Sequence, residues 1–311
     1  MSHVVLEVSS SKLEEFKKFY SESASGKLPP GAVFQARTSQ CVITGYKSGK
    51  VLFQGSGAES EARNWAGSLA SSSSKIKKTP NKTSLSHNSF TPSYPMIGSD
   101  EVGTGDYFGP ITVASVYVTE DQIQMLQSLG VTDSKAMNDD VIRNIAPNLL
   151  KTITHHITIL PNPKYNEWFE VRGYNQGKIK AVLHNHTIGK LLKKIGTKEL
   201  GTIVIDQFTL PTTYYNYLKD YPYFVVREKV HFETKAESKY VAVACASVLA
   251  RYAFLVEWDK MNKQAGIIIP KGASNKVDAI AGNILRTKGE EYLKTLTKWH
   301  FANTDKARKL K

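Results

Sequence analysis

The sequence predicts an α/β protein in two parts: a small α+β unit, then a larger domain in which helices flank a central β-sheet. Three observations carry this. Short β-branched runs, Ile111 to Val118 and Thr202 to Asp206, have the composition of buried strands. Longer segments repeat their apolar residues at helical spacing. A Ser/Lys/Thr/Asn/Pro-rich stretch at 68–94 separates two apolar regions and cannot bury enough surface to order itself. At 311 residues the chain has room for two domains, and its 41% hydrophobic content suffices for a core in each. The expected division is 1–67, a basic linker at 68–94, and 95–311.

In the first part, His3 to Val8 reads as a strand and Ser11 to Tyr20 as a helix with Leu13, Phe16 and Tyr20 on one face. Ser11 and Glu14 fit a capping box. Leu28-Pro29-Pro30-Gly31 breaks the chain. Strands follow at Ala32 to Arg37, Cys41 to Tyr46 and Val51 to Gln54, the last two joined by a Lys47-Ser48-Gly49-Lys50 turn. Ala58, Ala62 and Trp65 mark a second helix. Tyr46, Lys47 and Lys50 sit on a projecting hairpin, where lysines can meet phosphates and a ring can stack on a sugar or base. The competing reading is a solvated tip whose charges discourage edge pairing.

In the second part, Ile97 to Ser99 and Ile111 to Val118 read as strands, Gln122 to Leu129 and Asp139 to Leu150 as helices, and Ile153 to Leu160 as a strand. Helices are expected at Tyr165 to Glu170 and Gly177 to Ile195, strands at Thr202 to Asp206 and Phe224 to Val230, and a long apolar helix from Val241 to Phe254. The lysines of 177–195 either track a nucleic-acid backbone or form a solvated face. His184-Asn185-His186 spells HNH, but consecutive helical residues point about 100° apart and cannot share one ligand sphere. Cys41 and Cys245 suggest neither a disulfide framework nor a zinc site.

The net charge of +13 favours a polyanionic partner, either nucleic acid or an acidic membrane surface. No apolar run approaches the roughly 20 residues that span a bilayer, and MSHVVLEVSS has no signal core. A cytoplasmic monomer that spans no membrane is expected. No Walker loop is present, and Gly103-x-Gly105-x-x-x-Gly109 misses the dinucleotide fingerprint by one position, which argues against nucleotide-dependent enzymes.

Chemistry concentrates in Met96 to Val118, MIGSDEVGTGDYFGPITVASVYV. Asp100 and Glu101 end an apolar start, and a glycine-rich turn follows. Neighbouring strand residues face opposite ways, so the two carboxylates reach one cation only if one leaves from the sheet and the other from an edge or bulge. A solvated acidic turn is the competing reading. Thr202-Ile203-Val204-Ile205-Asp206 is a second such site, a buried strand delivering a carboxylate at its C-terminal edge.

DEVGTGDYFGP resembles the signature of ribonuclease HIII, a type 2 RNase H; the related HII enzymes usually carry arginine where this chain has Thr104. The resemblance is densest at Gly98 to Pro110 and Ile203 to Arg251. It implies an RNase H-like domain with a central mixed β-sheet, preceded by a TATA-binding-protein-like domain that binds substrate. It also implies that Asp100, Glu101, Asp206 and Glu237 are the catalytic and metal-binding acids, with glutamate at 237 where HII relatives have aspartate. Glu233 lies outside the motif. Ser134 and Lys135 belong to a shared DSK triplet near the active site. The implied reaction is Mg²⁺- or Mn²⁺-dependent cleavage of the RNA strand of an RNA/DNA hybrid, leaving 3′-hydroxyl and 5′-phosphate ends. Hard oxygen donors suit such ions, and a pair about 4 Å apart activates water and stabilises a leaving oxygen. RNA selectivity needs a reader of the 2′-hydroxyl; the backbone of Gly103-Thr104-Gly105 can approach a sugar closely because glycine has no Cβ. Without the HII arginine, weak or no incision at a single embedded ribonucleotide is expected. RNase HII-like repair and non-catalytic hybrid binding are the alternatives.

Overall fold

The structure, a computed structural model, describes residues 3–23, 28–29, 31–66, 92–131 and 137–310. It divides into two compact units, Met1–Ser89 and Phe90–Lys311. Most of the expected linker, 67–91, lies outside the described residues, as do Ser134 and Lys135.

The first unit contains β1 (His3–Glu7), α1 (Ser10–Phe19), β2 (Ala32–Arg37), β3 (Val42–Tyr46), β4 (Lys50–Gln54) and α2 (Ala58–Ala66). The strands form an antiparallel sheet in the order β1-β4-β3-β2. Phe16, Ile43, Val51 and Phe53 are fully buried at its centre. Trp65 stacks on Phe16 at 3.9 Å, and its Nε1 donates to the Tyr20 hydroxyl at 2.9 Å. The helix cap differs from expectation. Ser9, rather than Ser11, accepts from the Lys12 amide, because the chain stays extended only through Ser9 and Ser11 already lies in the first turn.

The second unit is built on a five-stranded mixed sheet, order β7-β6-β5-β8-β9. Its strands are β5 (Met96–Val102), β6 (Ile111–Val118), β7 (Thr154–Leu160), β8 (Thr202–Asp206) and β9 (Val230–Glu233). β5, β6 and β7 are antiparallel in succession, whereas β8 runs parallel to β5 and β9 parallel to β8. Strand alternation assigns the two faces of β5. Ile97 joins the apolar cluster of α6 (Gln176–Ile195), and Met96 joins that of α8 (Val241–Ala265). Gly98 is needed for the second packing: a Cβ there would lie 2.2 Å from the Ala242 backbone.

α3 (Ile123–Ser128) and α4 (Asp139–Thr152) contribute to the α8 cluster. α5 (Asn162–Glu170) packs beside α6, and α7 (Pro211–Tyr217) covers β8. α9 (Asn275–Lys288), α10 (Glu290–Leu296) and α11 (Ala302–Lys309) enclose a further core around Tyr107, Phe108 and Trp258.

Three expectations need correction. β5 continues through both acids to Val102. The strand expected at Phe224 to Val230 is replaced by β9, which starts only at Val230. Asn185 explains this: its side chain donates to Phe224 O (3.0 Å) and accepts from Val226 N (2.9 Å), so that backbone needs no ladder partner. Phe224 itself is 78% exposed. Finally, α8 runs eleven residues past Phe254, to a left-handed Gly266, and is long and apolar enough by composition to cross a bilayer. Its first part, through Ala250, is instead buried in the protein, which is why that part is apolar all round.

Candidate active site

Asp100 and Glu101 occupy the last turn of pleat in β5, and the ladder to β6 is uninterrupted there (Asp100↔Ala114, Glu101↔Val113). No bulge is used: the two side chains leave on opposite faces, but the pairing with β8 ends at Ser99↔Ile205, so both acids stand past it at an edge of the sheet. Asp100 lies on the α8 side and takes a hydrogen bond from Ser247. Its Oδ1 also accepts from the Glu101 amide at 2.7 Å. The parallel register Ser99↔Ile205 brings Asp100 level with Asp206 at the end of β8. Asp206 Oδ1 in turn accepts from Ala236 N at 2.9 Å. That amide opens a tight turn, Ala236–Ser238, which contains the buried Glu237 and leads into α8. Thus Asp206 ties the turn carrying Glu237 to the strand beside Asp100. Glu233 is engaged elsewhere, with Lys239 and His231.

The electrostatics of the neighbouring acids diverge. Burial, then the charges of Glu101 and Asp206, push Asp100 up to about 8. Burial would also raise Glu101, but His184 and Lys180 outweigh it and hold Glu101 down to about 2. Asp100, Glu101 and Asp206 therefore repel one another, and His184 and Lys180 answer that repulsion at Glu101.

Those partners come from α6, and the sequence reading missed them. Gln176, Lys180 and His184 recur every four residues and form one ridge toward β5. Gln176 Nε2 donates to Thr104 O at 2.8 Å, Lys180 Nζ to Glu101 Oε1 at 3.0 Å, and His184 Nε2 lies 2.9 Å from Glu101 Oε2. Lys180 also stands 4.1 Å above the Phe208 ring, against which His184 stacks. The i, i+4, i+8 spacing of polar residues along an otherwise apolar helix face was the available signal.

The Gly103–Pro110 loop is fastened by the C-terminal segments. Gly103 has φ +95, and a Cβ there would lie 2.2 Å from Pro110 O; at Gly105 a Cβ would meet open space. Asp106 Oδ1 accepts from Gly272 N, and Tyr107 N donates to Gly272 O. The buried Lys298 donates to the carbonyls of Asp106 (2.8 Å) and Gly109 (2.6 Å). His300 packs face to face with Phe169 at 3.9 Å.

Of the residues expected to touch substrate, Gly103, Thr104 and Gly105 therefore follow directly on the acids. Tyr46, Lys47 and Lys50 lie on the β3–β4 turn of the other unit, with both lysines exposed.

The donor set is all carboxylate oxygen at its centre, which fits a hard divalent cation such as Mg²⁺ or Mn²⁺. The raised Asp100 fits as well, since a cation would relieve the repulsion that raises it. Among the described residues no three or more His, Cys, Asp or Glu side chains are drawn tightly enough together to hold a metal as they stand.

Comparison with known proteins agrees with this geometry. Residues 97–304 match the family Ribonuclease HII, and residues 3–78 match a domain of unknown function, DUF3378. Ribonuclease HIII of Bacillus mycoides (strain KBAB4) is 47% identical over 99% of this chain and 98% of its own length. Ribonuclease HIII of Bacillus subtilis (strain 168) is 46% identical over 100% and 98%. The crystal structure of Bst-RNase HIII in complex with Mn²⁺ aligns with TM-score 0.69 and 44% identity, covering 99% of both chains.

Proposed function

Because this chain belongs to the ribonuclease HIII family of type 2 RNases H, we propose that it is an endonuclease that cuts the RNA strand of RNA/DNA hybrids, leaving 3′-hydroxyl and 5′-phosphate ends. The observation that carries the reading is the placement of Asp100 and Asp206 next to the last β5–β8 pair, Ser99↔Ile205, with Glu101 beside them and Glu237 on the turn that Asp206 holds. Mg²⁺ or Mn²⁺, when bound, supplies a Lewis acid for water activation and for charge on the scissile phosphate.

The chain's own residues do the rest. Asp100, in our reading, would be the central ligand, Asp206 and Glu101 would complete the shell, and Glu237 would hold or assist one ion. His184 and Lys180 keep Glu101 ionised and oriented. The Gly103–Thr104–Gly105 backbone lies next to the acids, where amides and carbonyls can read a 2′-hydroxyl. Gln176 and Lys298 fix that loop from opposite ends. Lys47 and Lys50 add phosphate-backbone contacts from the N-terminal unit, and Lys135, with Ser134 in the substrate-binding triplet, adds a phosphate contact.

The test uses two labelled duplexes with Mg²⁺ and then Mn²⁺, one with a continuous RNA strand and one with a single ribonucleotide in DNA. Cleavage of the first alone is expected. Equal cleavage of both would indicate HII-like repair and overturn the argument from Thr104. Binding of either duplex without cleavage under both metals would overturn the enzymatic reading.

A further inference from the structure

Resting on that reading of the acids, we propose that Lys180 is a resident counter-ion of the metal site: its ammonium balances Glu101 in the metal-free protein and gives up that carboxylate to an incoming divalent cation.

The geometry separates Lys180 from the other lysines of α6. Lys178 lies over the Tyr174 ring at 4.4 Å, and Lys194 donates to the His155 carbonyl. Lys180 alone among them meets a carboxylate of the site, at 3.0 Å, with its side chain only 15% exposed and that of Glu101 11%. A buried carboxylate needs a compensating charge. Here an ammonium supplies it, on the side of β5 opposite Asp100.

The same lysine has a second place to stand. Its Nζ is 4.1 Å from the centre of the Phe208 ring, and cation–π attraction there persists after Glu101 is lost. Glu101 likewise keeps His184 on its other oxygen, so it can reorient without losing both partners. The pair is thus built to exchange. Lys180 and the metal compete for one carboxylate, and competition between two cations is reciprocal: whatever the ammonium costs the metal in affinity, the metal costs the ammonium in contact.

The experiment measures Mn²⁺ binding to the full chain without substrate, by the loss of the free-ion EPR signal and by calorimetry. The proteins are wild type, Lys180→Met, Lys180→Gln, Lys180→Arg and Lys178→Met. Expected is Mn²⁺ binding about tenfold tighter in K180M and K180Q, within the ordinary range of coupling between sites. K180R, which keeps the charge, should stay near wild type, and K178M, which loses a charge outside the site, should not move. Metal-free K180M should also unfold at lower urea, with the gap closing at saturating Mn²⁺. Unchanged or weaker binding in both K180M and K180Q would overturn the proposal, as would equal tightening in K178M or K180R. Failure of the wild type to bind Mn²⁺ at all would instead remove the metal reading of the acids, and this proposal with it.

Discussion

His184 Nε2 stands 2.9 Å from Glu101 Oε2, while the ring's other nitrogen stands 2.8 Å from Ser99 Oγ. Ser115 donates to that same Ser99 hydroxyl. An ionised carboxylate only accepts, so Nε2 carries a proton in this contact. The ring thereby links two alternate residues of β5, Ser99 and Glu101, that share the α6 face. His184→Ala should take one buried hydrogen-bond partner from each, Glu101 keeping Lys180 and Ser99 keeping Ser115, and lower stability by about 1–3 kcal/mol. Urea unfolding of the metal-free protein checks this, and hybrid cleavage should fall with it.

Asp100→Asn should abolish cleavage while the fold persists. It should also stabilise the metal-free protein at high pH. Asp100 holds its proton up to about 8 when folded but only to the ordinary carboxyl range, near 4, when unfolded. The folded state therefore binds more protons in that window, and its stability falls as pH rises from about 4 to about 8. The asparagine variant lacks this slope. Its melting temperature should match wild type near pH 4 and exceed it by several degrees at pH 8, measured with chelator present. Wild-type turnover in this variant would remove Asp100 from its assigned role.

Metal binding requires Asp100 to lose that proton. Affinity for Mn²⁺ should therefore rise by up to about tenfold per pH unit below 8 and level off above it. Calorimetry in buffers of different ionisation enthalpy should count close to one proton released at pH 7. A pH-independent affinity would contradict the raised Asp100.

The two glycines flanking Thr104 should behave differently. Gly103→Ala places a Cβ against Pro110 O on a backbone with positive φ, and should cost several kcal/mol or prevent folding. Gly105→Ala enters open space and should leave stability within about 0.5 kcal/mol of wild type. If the loop approaches a ribose, G105A should raise KM for the hybrid; unchanged kinetics would move recognition elsewhere.

Lys298→Met should leave two buried carbonyls, those of Asp106 and Gly109, without a donor, at about 1–3 kcal/mol. Hydrogen exchange should quicken at the amides of Tyr107 and Gly109. Protection equal to wild type there would show that the backbone pairing with Gly272 and Leu296 fastens the loop alone.

What the sequence made legible was local. Ile203 to Asp206 announces a buried strand ending in an acid, and the composition of DEVGTGDYFGP singles out the site before any contact is known. Gln176, Lys180 and His184 were lost because Lys178, Lys190, Lys193 and Lys194 surround them and make α6 look like a charged surface. α8 was cut short because its apolar, all-round buried first part gives way after Phe254 to a stretch carrying Glu257, Asp259, Lys260 and Lys263, whose change of composition reads as an end. The 224–230 segment misled because its strand-like composition is served by one side chain, Asn185, from a distant helix. The fastening of the Gly103–Pro110 loop by Gly272, Lys298 and Thr304 is a contact across more than 160 residues, and no local pattern encodes it.

That fastening orders events in time. The loop is synthesised well before Lys298 and Thr304, which lie more than 180 residues downstream, and long closures cannot form before both ends exist. A nascent chain carrying all four acids still lacks the anchor of the loop that follows the first two. A chain interrupted before Lys298 should therefore keep the strands that carry the acids and leave the loop after Glu101 without its Lys298 and Thr304 anchors.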